Sequence, residues 1–324
     1  MTIALVQEIG SSTDAGGAAL TTVWSGSKTI TVGNSILVAT ACAADGTESV
    51  TDNLGNTYTR DATYYFSGDT NTVSVWRAPI TAGGTLTTVT HNHPANNYNS
   101  MAIAEFSGVG TLSTADNANT GSGTTGTWAS SITIPANGAA FGAMENSASV
   151  VQTAGSASGS PSTSMAIASQ FYDASNLGTA LLYAIAGASQ VTGFNGTATF
   201  ASSVWNGVAA IYDAAASTPT WTTPADTVSM STTPELKFNS PASAVKQHFY
   251  LQLDTSNGFA SGNLRTYDSS VTQTNWDYWD GSAWTAMPSD GLPIAKSGNE
   301  IRYTVTSALS SSTWYRRVRA GTLV

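Results

Sequence analysis

Charged side chains are scarce in this sequence, and basic ones are the scarcest. Asp, Glu, Lys and Arg make up 10% of the chain, whereas about a quarter is typical of a globular domain. Residues 1–216 contain 12 acidic residues but only three bases, Lys28, Arg60 and Arg77, which gives a formal charge of −9. A nucleic-acid partner requires a basic surface that faces its phosphates. The composition therefore argues against nucleic-acid binding.

Cysteine and long apolar segments are also lacking. Cys42 is the single cysteine, so no disulfide can form within the chain. It lies in the apolar run 36–44 and is predicted to be a small buried side chain that stays unreactive until the protein unfolds.

No apolar run approaches the roughly 20 residues that cross a bilayer, so no membrane insertion is predicted. The first ten residues lack the basic segment of a signal peptide.

Short catalytic motifs are missing as well. The sequence contains no G-x-S-x-G, no H-E-x-x-H and no P-loop. The paired acids of glycoside hydrolases converge in space, so the spacing of acids along the chain does not reveal them. We therefore predict a protein that is not an enzyme and that needs no cofactor.

Short β-prone runs separated by turn residues fill the sequence. The clearest example is 50–65, where Asp52, Asn53, Gly55 and Asn56 form a turn between two such runs and predict a β-hairpin. Residues 1–216 contain roughly 14–16 such runs and no predicted helix. Two stretches rich in Gly, Ser and Thr are predicted to be surface loops, because they have few large apolar residues: Asn119–Thr127 and Ser147–Ser164.

These patterns predict an all-β chain of two domains. A large jelly-roll-like two-sheet sandwich is expected over residues 1–216, followed by a smaller immunoglobulin-like sandwich over 217–324. The segment Ala214–Pro224 contains two prolines among Ser and Thr and is predicted to be the linker. Seven strands are predicted beyond it: Glu235–Phe238, Gln247–Leu253, Asn263–Asp268, Asn275–Trp279, Ala283–Ala286, Glu300–Thr306 and Thr313–Ala320.

Two resemblances cover nearly the whole chain. The first resemblance depends on five stretches of turn and core residues: Gly33–Val38, Thr51–Thr59, Val75–Gly84 with Leu86–Thr90, Ala104–Val109 and Gly138–Met144. With these stretches, residues 1–213 resemble a β-sandwich module of tailed-phage virion proteins and some bacterial surface proteins. The second resemblance depends on four stretches: Thr233–Phe238, Phe249–Asp254, Tyr278–Trp284 and Trp314–Ala320. With these, the C-terminal part resembles the fibronectin-III/immunoglobulin-like domains of phage particles and extracellular bacterial proteins.

One position departs from the second family. Arg316 stands where that family often has an inward-facing aromatic residue, and alternation places Arg316 on the face of Trp314 and Val318. Arg316, Arg317 and Arg319 are also read as one small basic edge. That edge could dock on the acidic first domain of a neighbouring copy.

The resemblances imply a non-enzymatic virion structural protein of a tailed bacteriophage: a head decoration or fibre, or a tail-associated surface protein. Such a protein assembles in the host cytoplasm and is displayed on the virion surface. Its expected partners are other virion proteins of the capsid or tail, further copies of itself, and host-surface glycans. The alternatives are a carbohydrate-binding or adhesion module of a bacterial surface protein, at the cell surface, and a polysaccharide-degrading enzyme.

The densest aromatic cluster is the candidate glycan site. Trp276, Tyr278, Trp279 and Trp284 lie within nine residues on either side of an Asp280-Gly281 turn. Such rings can stack on sugars, but aromatic residues also dominate protein cores, so a core position is the competing interpretation.

Two weaker patterns concern metals. His91 and His93 lie on one side of an extended segment and form a candidate metal pair. Asp45, Glu48 and Asp52 form an oxygen-rich group of the kind that can hold calcium, although their spacing is not that of an EF-hand. The alternative without a metal places the histidines in a polar loop and the carboxylates at ordinary positions in turns. No metal is therefore predicted.

Overall fold

The prediction of an all-β chain is confirmed. The computed structural model describes residues 3–14, 21–68, 70–94, 98–147, 150–172, 177–215, 220–223, 233–241, 246–255, 262–307, 309 and 314–322. Within these ranges the chain forms 22 strands, one 3₁₀ turn at Ile294–Lys296 and no α-helix. No helix of membrane-spanning length and hydropathy occurs there. The chain divides into two compact units, Thr2–Ala215 and Ala216–Val324.

The first eight strands wind between two sheets. Strands β1, β8, β3, β6 and β5 form a five-stranded sheet in that order, and β2, β7 and β4 form a three-stranded sheet. This order is that of a jelly roll, in which consecutive strands pass between facing sheets, except that β5 and β6 are neighbours in the five-stranded sheet. The strands are Ala4–Asp14 (β1), Thr21–Ile30 (β2), Ser35–Cys42 (β3), Ser49–Asp52 (β4), Thr59–Phe66 (β5), Asn71–Pro79 (β6), Gly84–Asn92 (β7) and Asn99–Ser107 (β8).

The segment predicted to be a hairpin is instead a corner between these sheets. Strand β4 pairs with β7 and β5 pairs with β6, so the two runs that flank the turn do not pair with each other. The carboxylate of Asp52 holds the corner, because it accepts hydrogen bonds from the Leu54 backbone at 2.8 Å and from the Asn56 amide and the Tyr58 hydroxyl, each at 3.0 Å. The turn chemistry was correctly recognised, but the pairing of its flanks was wrong.

Six further strands form a third sheet, which the prediction of two sheets for this unit did not include. Its order is β11-β14-β10-β13-β12, and β9 pairs with β14 over a long, bulged register. Strands β9 and β14 contain 26 and 24 residues. The strands are Val109–Ile134 (β9), Ala139–Asn146 (β10), Thr153–Ser160 (β11), Met165–Phe171 (β12), Gly178–Ile185 (β13) and Val191–Ala214 (β14).

Both stretches that were predicted to be loops contain strands of this sheet. Residues 119–127 belong to β9, and 153–160 of the second stretch form β11. The composition misled because the bulky side chains come from partner strands. A Cβ at Gly121 would lie 2.6 Å from the Trp205 ring, and one at Gly196 would lie 2.5 Å from the Trp128 ring. Small residues are needed where an indole lies flat across the backbone.

The five-stranded sheet is covered on both faces, and its central strand β3 contains no exposed residue. The same is true of β10 in the third sheet. Leu37 and Val75 face a cluster that includes Phe141 of the third sheet, while the neighbouring Val38 and Trp76 face the three-stranded sheet. Two-sided burial favours continuous apolar runs over strict alternation. It also buries Cys42, at the end of β3.

The second unit is a sandwich of two sheets. Sheet β15-β16-β21-β19-β20 packs on sheet β18-β17-β22 around Phe238, Phe249, Trp276 and Ile301. Seven of its strands match the predicted ones, and the eighth, β15, lies within the segment predicted to be a linker. The strands are Thr220–Thr223 (β15), Glu235–Asn239 (β16), Gln247–Asp254 (β17), Arg265–Asp268 (β18), Trp276–Trp279 (β19), Trp284–Ala286 (β20), Glu300–Thr304 (β21) and Tyr315–Thr322 (β22). Residues 216–219 and 224 of that segment lie outside the described ranges.

Candidate functional site

The candidate glycan site is built on a tight hairpin between β19 and β20. The carboxylate of Asp280 accepts hydrogen bonds from the backbone N–H groups of Ser282 at 2.8 Å and Ala283 at 2.9 Å. These backbone donors, with Ala283 as the largest cause, hold the pKa of Asp280 well below its usual value. The hairpin register places Trp279 directly opposite Trp284. Local turn chemistry therefore fixes the position of both indoles.

Strand alternation divides the four aromatic residues between core and surface. Trp276 and Tyr278 are 1% and 9% exposed and belong to the hydrophobic core. Trp279 is 37% exposed, and Trp284 is half-buried. The core position that competed with sugar stacking therefore describes Trp276 and Tyr278. A stacking role is left to Trp279 and Trp284.

The two outer indoles form one polar-rimmed patch. Their ring centroids are 5.6 Å apart and their planes are inclined at 66°. The guanidinium carbon of Arg302 lies 4.5 Å from the centroid of the Trp284 ring, and the ammonium of Lys237 lies 5.2 Å from it. These cations cover Trp284, so Trp279 offers the more open indole surface. We call Trp279, Trp284, Arg302 and Lys237 the indole patch.

Carboxylates fix the cations of the indole patch. Arg302 donates from Nη2 to Asp277 at 2.8 Å and from Nη1 to Glu235 at 3.3 Å. Asp277 lies beside Arg302 in the strand register. The patch therefore combines an exposed ring with nearby charged groups and balanced charge, a combination suited to a polyhydroxylated ring that has one apolar face.

Comparison of the chain with protein-family models, with characterised proteins and with solved structures gives no match. The functional assignment therefore depends on the site geometry and on the sequence resemblances described above.

The candidate metal residues lie in different surroundings. Asp45 is exposed, and Asp52 holds the corner between β4 and β5. Glu48 and His91 form a buried contact in which Nε2 of His91 lies 2.7 Å from Oε2 of Glu48. His93 lies beside His91, with 5.3 Å between ring centroids. Across the described ranges, no three His, Cys, Asp or Glu side chains are placed to hold a metal ion.

Glu48 is the centre of a polar cluster that sequence reasoning did not find. Its other carboxylate oxygen lies 3.3 Å from Nη1 of Arg60. Thr40 Oγ1 donates to Glu48 at 3.5 Å and accepts from the indole N–H of Trp76 at 3.0 Å. Glu48 comes just before β4 and His91 is on β7. Only the register, in which Val50 faces His91, brings them together.

Three further acidic side chains are buried in the first unit. Asp61 accepts hydrogen bonds from Arg77 at 3.0 Å and from the Tyr212 hydroxyl at 2.7 Å. Glu105 and Glu145 have no exposed surface and accept hydrogen bonds mainly from side-chain amides. Glu105 accepts from Gln7 at 2.7 Å and from Asn34 at 2.6 Å. Glu145 accepts from Asn71 at 3.2 Å and from Asn206 at 2.8 Å. With Glu48, four of the acids that the structure describes in the first unit thus lie inside the fold rather than on its surface.

Proposed function

We propose that this chain is a non-enzymatic structural protein of a tailed-phage particle, displayed on the virion surface, and that its indole patch contacts host-surface glycans. The first unit would supply attachment and assembly, and the second would present the patch. The observation that carries the glycan contact is the exposed Trp279 on a hairpin fixed by Asp280. The assignment to a particle depends on the resemblance of residues 1–213 to virion sandwich modules.

The architecture supports a structural role. The five-stranded sheet is covered on both faces, and the buried carboxylates are held by arginine, amide or hydroxyl groups of the fold. Buried polar groups that are hydrogen-bonded to one another favour one arrangement of the strands. Rigid modules suit a protein that is displayed in many copies on a larger surface.

A test of the glycan contact compares the native chain with Trp279→Ala on an array of bacterial surface glycans. Loss of a stacking indole should weaken binding by up to about tenfold, since aromatic contacts contribute about 0.5–1.5 kcal/mol. Val271→Ala is the control, because Val271 is 80% exposed in the same unit but lies in the turn that follows β18 of the other sheet. Equal binding by the native chain and Trp279→Ala would remove the indole patch from the proposal.

The second candidate is a carbohydrate-binding or adhesion module of a bacterial surface protein, which the same exposed Trp279 favours. Fractionation separates the two proposals. Mass spectrometry of gradient-purified particles should find the chain in fixed proportion to a capsid or tail protein. Recovery of the chain only from the surface of uninfected cells would support the adhesion module and contradict the virion assignment.

A further inference from the structure

A second polar surface lies on the opposite sheet of the second unit. Alternation along β22 places Arg317 and Arg319 on its outer face, while Arg316 shares the inner face with Val318. The three arginines therefore do not form the single basic edge expected from the sequence. The register places Arg319 beside Tyr250 and Arg317 beside Gln252 of β17.

Both outer guanidinium groups are held in position by β17. The guanidinium carbon of Arg319 lies 4.3 Å from the centroid of the Tyr250 ring. Arg317 donates from Nε to the amide oxygen of Gln252 at 2.6 Å, and Gln252 is only 8% exposed. The Gln252 amide nitrogen lies 3.4 Å from the Tyr250 hydroxyl, which links the two pairs. Little side-chain entropy is therefore left to lose when a ligand binds these forks.

An open cavity of about 420 Å³ is lined by Tyr250, Gln252, Arg317, Val318 and Arg319. This volume is in the range of small-ligand sites. The planar fork of a guanidinium matches the two oxygens of a carboxylate. Because Arg319 already lies over Tyr250, the Tyr250 ring is not offered for stacking on a neutral sugar as Trp279 is.

We propose that this cavity binds the carboxylate of an acidic sugar, a hexuronate or a sialate. One guanidinium would pair with the carboxylate, and the second, two residues along the strand, would donate to ring hydroxyls. Two acids lie near the cavity in the register. Asp254 of β17 has no exposed surface, and Asp268 of β18 accepts hydrogen bonds from the backbone and side chain of Ser270 at 2.8 Å and 2.6 Å.

A sugar fits this cavity better than the acidic unit of a neighbouring copy does. Four acids of the first unit are buried, so its formal charge overstates the negative surface that it presents. A protein interface also requires an area far larger than one small cavity. The proposal is independent of the indole patch, which lies on the other sheet.

The test is a titration of the full chain by saturation-transfer NMR and calorimetry with glucuronate, N-acetylneuraminate, glucose and acetate. We expect binding of one or both acidic sugars, which identifies the carboxylate source, and at least tenfold weaker binding of glucose and acetate. Arg319→Lys keeps the charge but loses the fork, so it should weaken binding by about tenfold. Lys246→Gln removes one positive charge elsewhere in the unit and should leave binding unchanged.

Three results would overturn the proposal. They are equal affinity for glucose or acetate, unchanged affinity in an Arg319→Lys variant, and no binding of either acidic sugar. Self-association of the chain that is lost in Arg319→Lys, without sugar binding, would instead assign this face to an acidic protein surface. Circular dichroism of each variant establishes that the fold is retained.

Discussion

His91 and Glu48 meet inside the first unit at 2.7 Å, between Nε2 of the imidazole and Oε2 of the carboxylate. Their side chains are 0% and 1% exposed. The contact joins β7 to the segment that precedes β4 in the three-stranded sheet. This sheet packs on the five-stranded sheet. Within this network, Arg60 and Thr40 are the other partners of Glu48. The pair is thus part of what holds this sheet in register.

His91→Leu should lower the free energy of unfolding by about 1–3 kcal/mol, because a buried carboxylate loses a hydrogen-bond partner. Urea denaturation of the native chain and the variant measures the difference. Asp45→Asn is the matched control, since Asp45 is exposed and should change stability by less than about 0.5 kcal/mol. Equal stabilities of native and His91→Leu protein would show that the pair contributes nothing.

Gly142→Ala should destabilise the third sheet through overpacking. A Cβ at Gly142 would lie 2.1 Å from Cε3 of Trp128, which is fully buried. The free energy of unfolding should fall by about 1–3 kcal/mol, the range for forcing extra methylenes into a packed core. Gly187→Ala is the control, because nothing lies within 4 Å of the added Cβ. The thermal unfolding midpoint should fall for Gly142→Ala and stay nearly constant for Gly187→Ala. The reverse order would contradict the packing of Trp128 against Gly142.

The strands of the second unit could be predicted from the sequence, because turn residues such as Asp280-Gly281 separate them at short intervals. Strand β11 could not, since its Gly, Ser and Ala residues carry no apolar signal and it forms by pairing with β14. The corner at Asp52 was recognised as a turn, but which strands it joins is decided by non-local pairing.

The candidate sites follow the same division between local and non-local information. Successive side chains of a strand point to opposite faces, so the sequence alone places Trp276 and Tyr278 on one face and Trp279 on the other. This local signal is enough to separate the buried rings from the exposed one. The Glu48–His91 contact had no such signal, because their distance depends on the register between β4 and β7. The pairing of Arg317 with Gln252 likewise needed the register of β22.

Stability should decline at high pH because of Tyr212. Burial, and next the carboxylate of Asp61, raises the pKa of its hydroxyl well above the usual value. In the unfolded chain the same group ionises near pH 10, so only the unfolded state loses the proton there. The stabilisation is present below about pH 10 and falls by about 1.4 kcal/mol per pH unit above it.

Urea denaturation between about pH 8 and pH 11.5 measures this slope. Tyr212→Phe should reduce the slope without removing it, because burial and Asp52 also raise the pKa of Tyr58. Tyr98→Phe, at a side chain that is 52% exposed, is the control. A slope that is identical in native and Tyr212→Phe protein would contradict this account of alkaline unfolding.

Self-association is expected through β11, an edge strand of the third sheet. None of its eight residues is charged, although register shifts against β14 give the edge some protection. Ala154→Lys places a charge at an exposed position of this edge and should weaken self-association in sedimentation velocity. Val32→Lys, in an exposed turn, should not. A strict monomer at high concentration for all three proteins would contradict the prediction.

Immunogold electron microscopy of intact particles tests the proposed function most directly. Antibodies raised against the second unit should label the outside of purified phage particles at regular positions, and particles lacking the gene should show no label. Particles that contain the expected capsid and tail proteins but bind no antibody, even after mild disruption, would contradict the assignment to a virion surface.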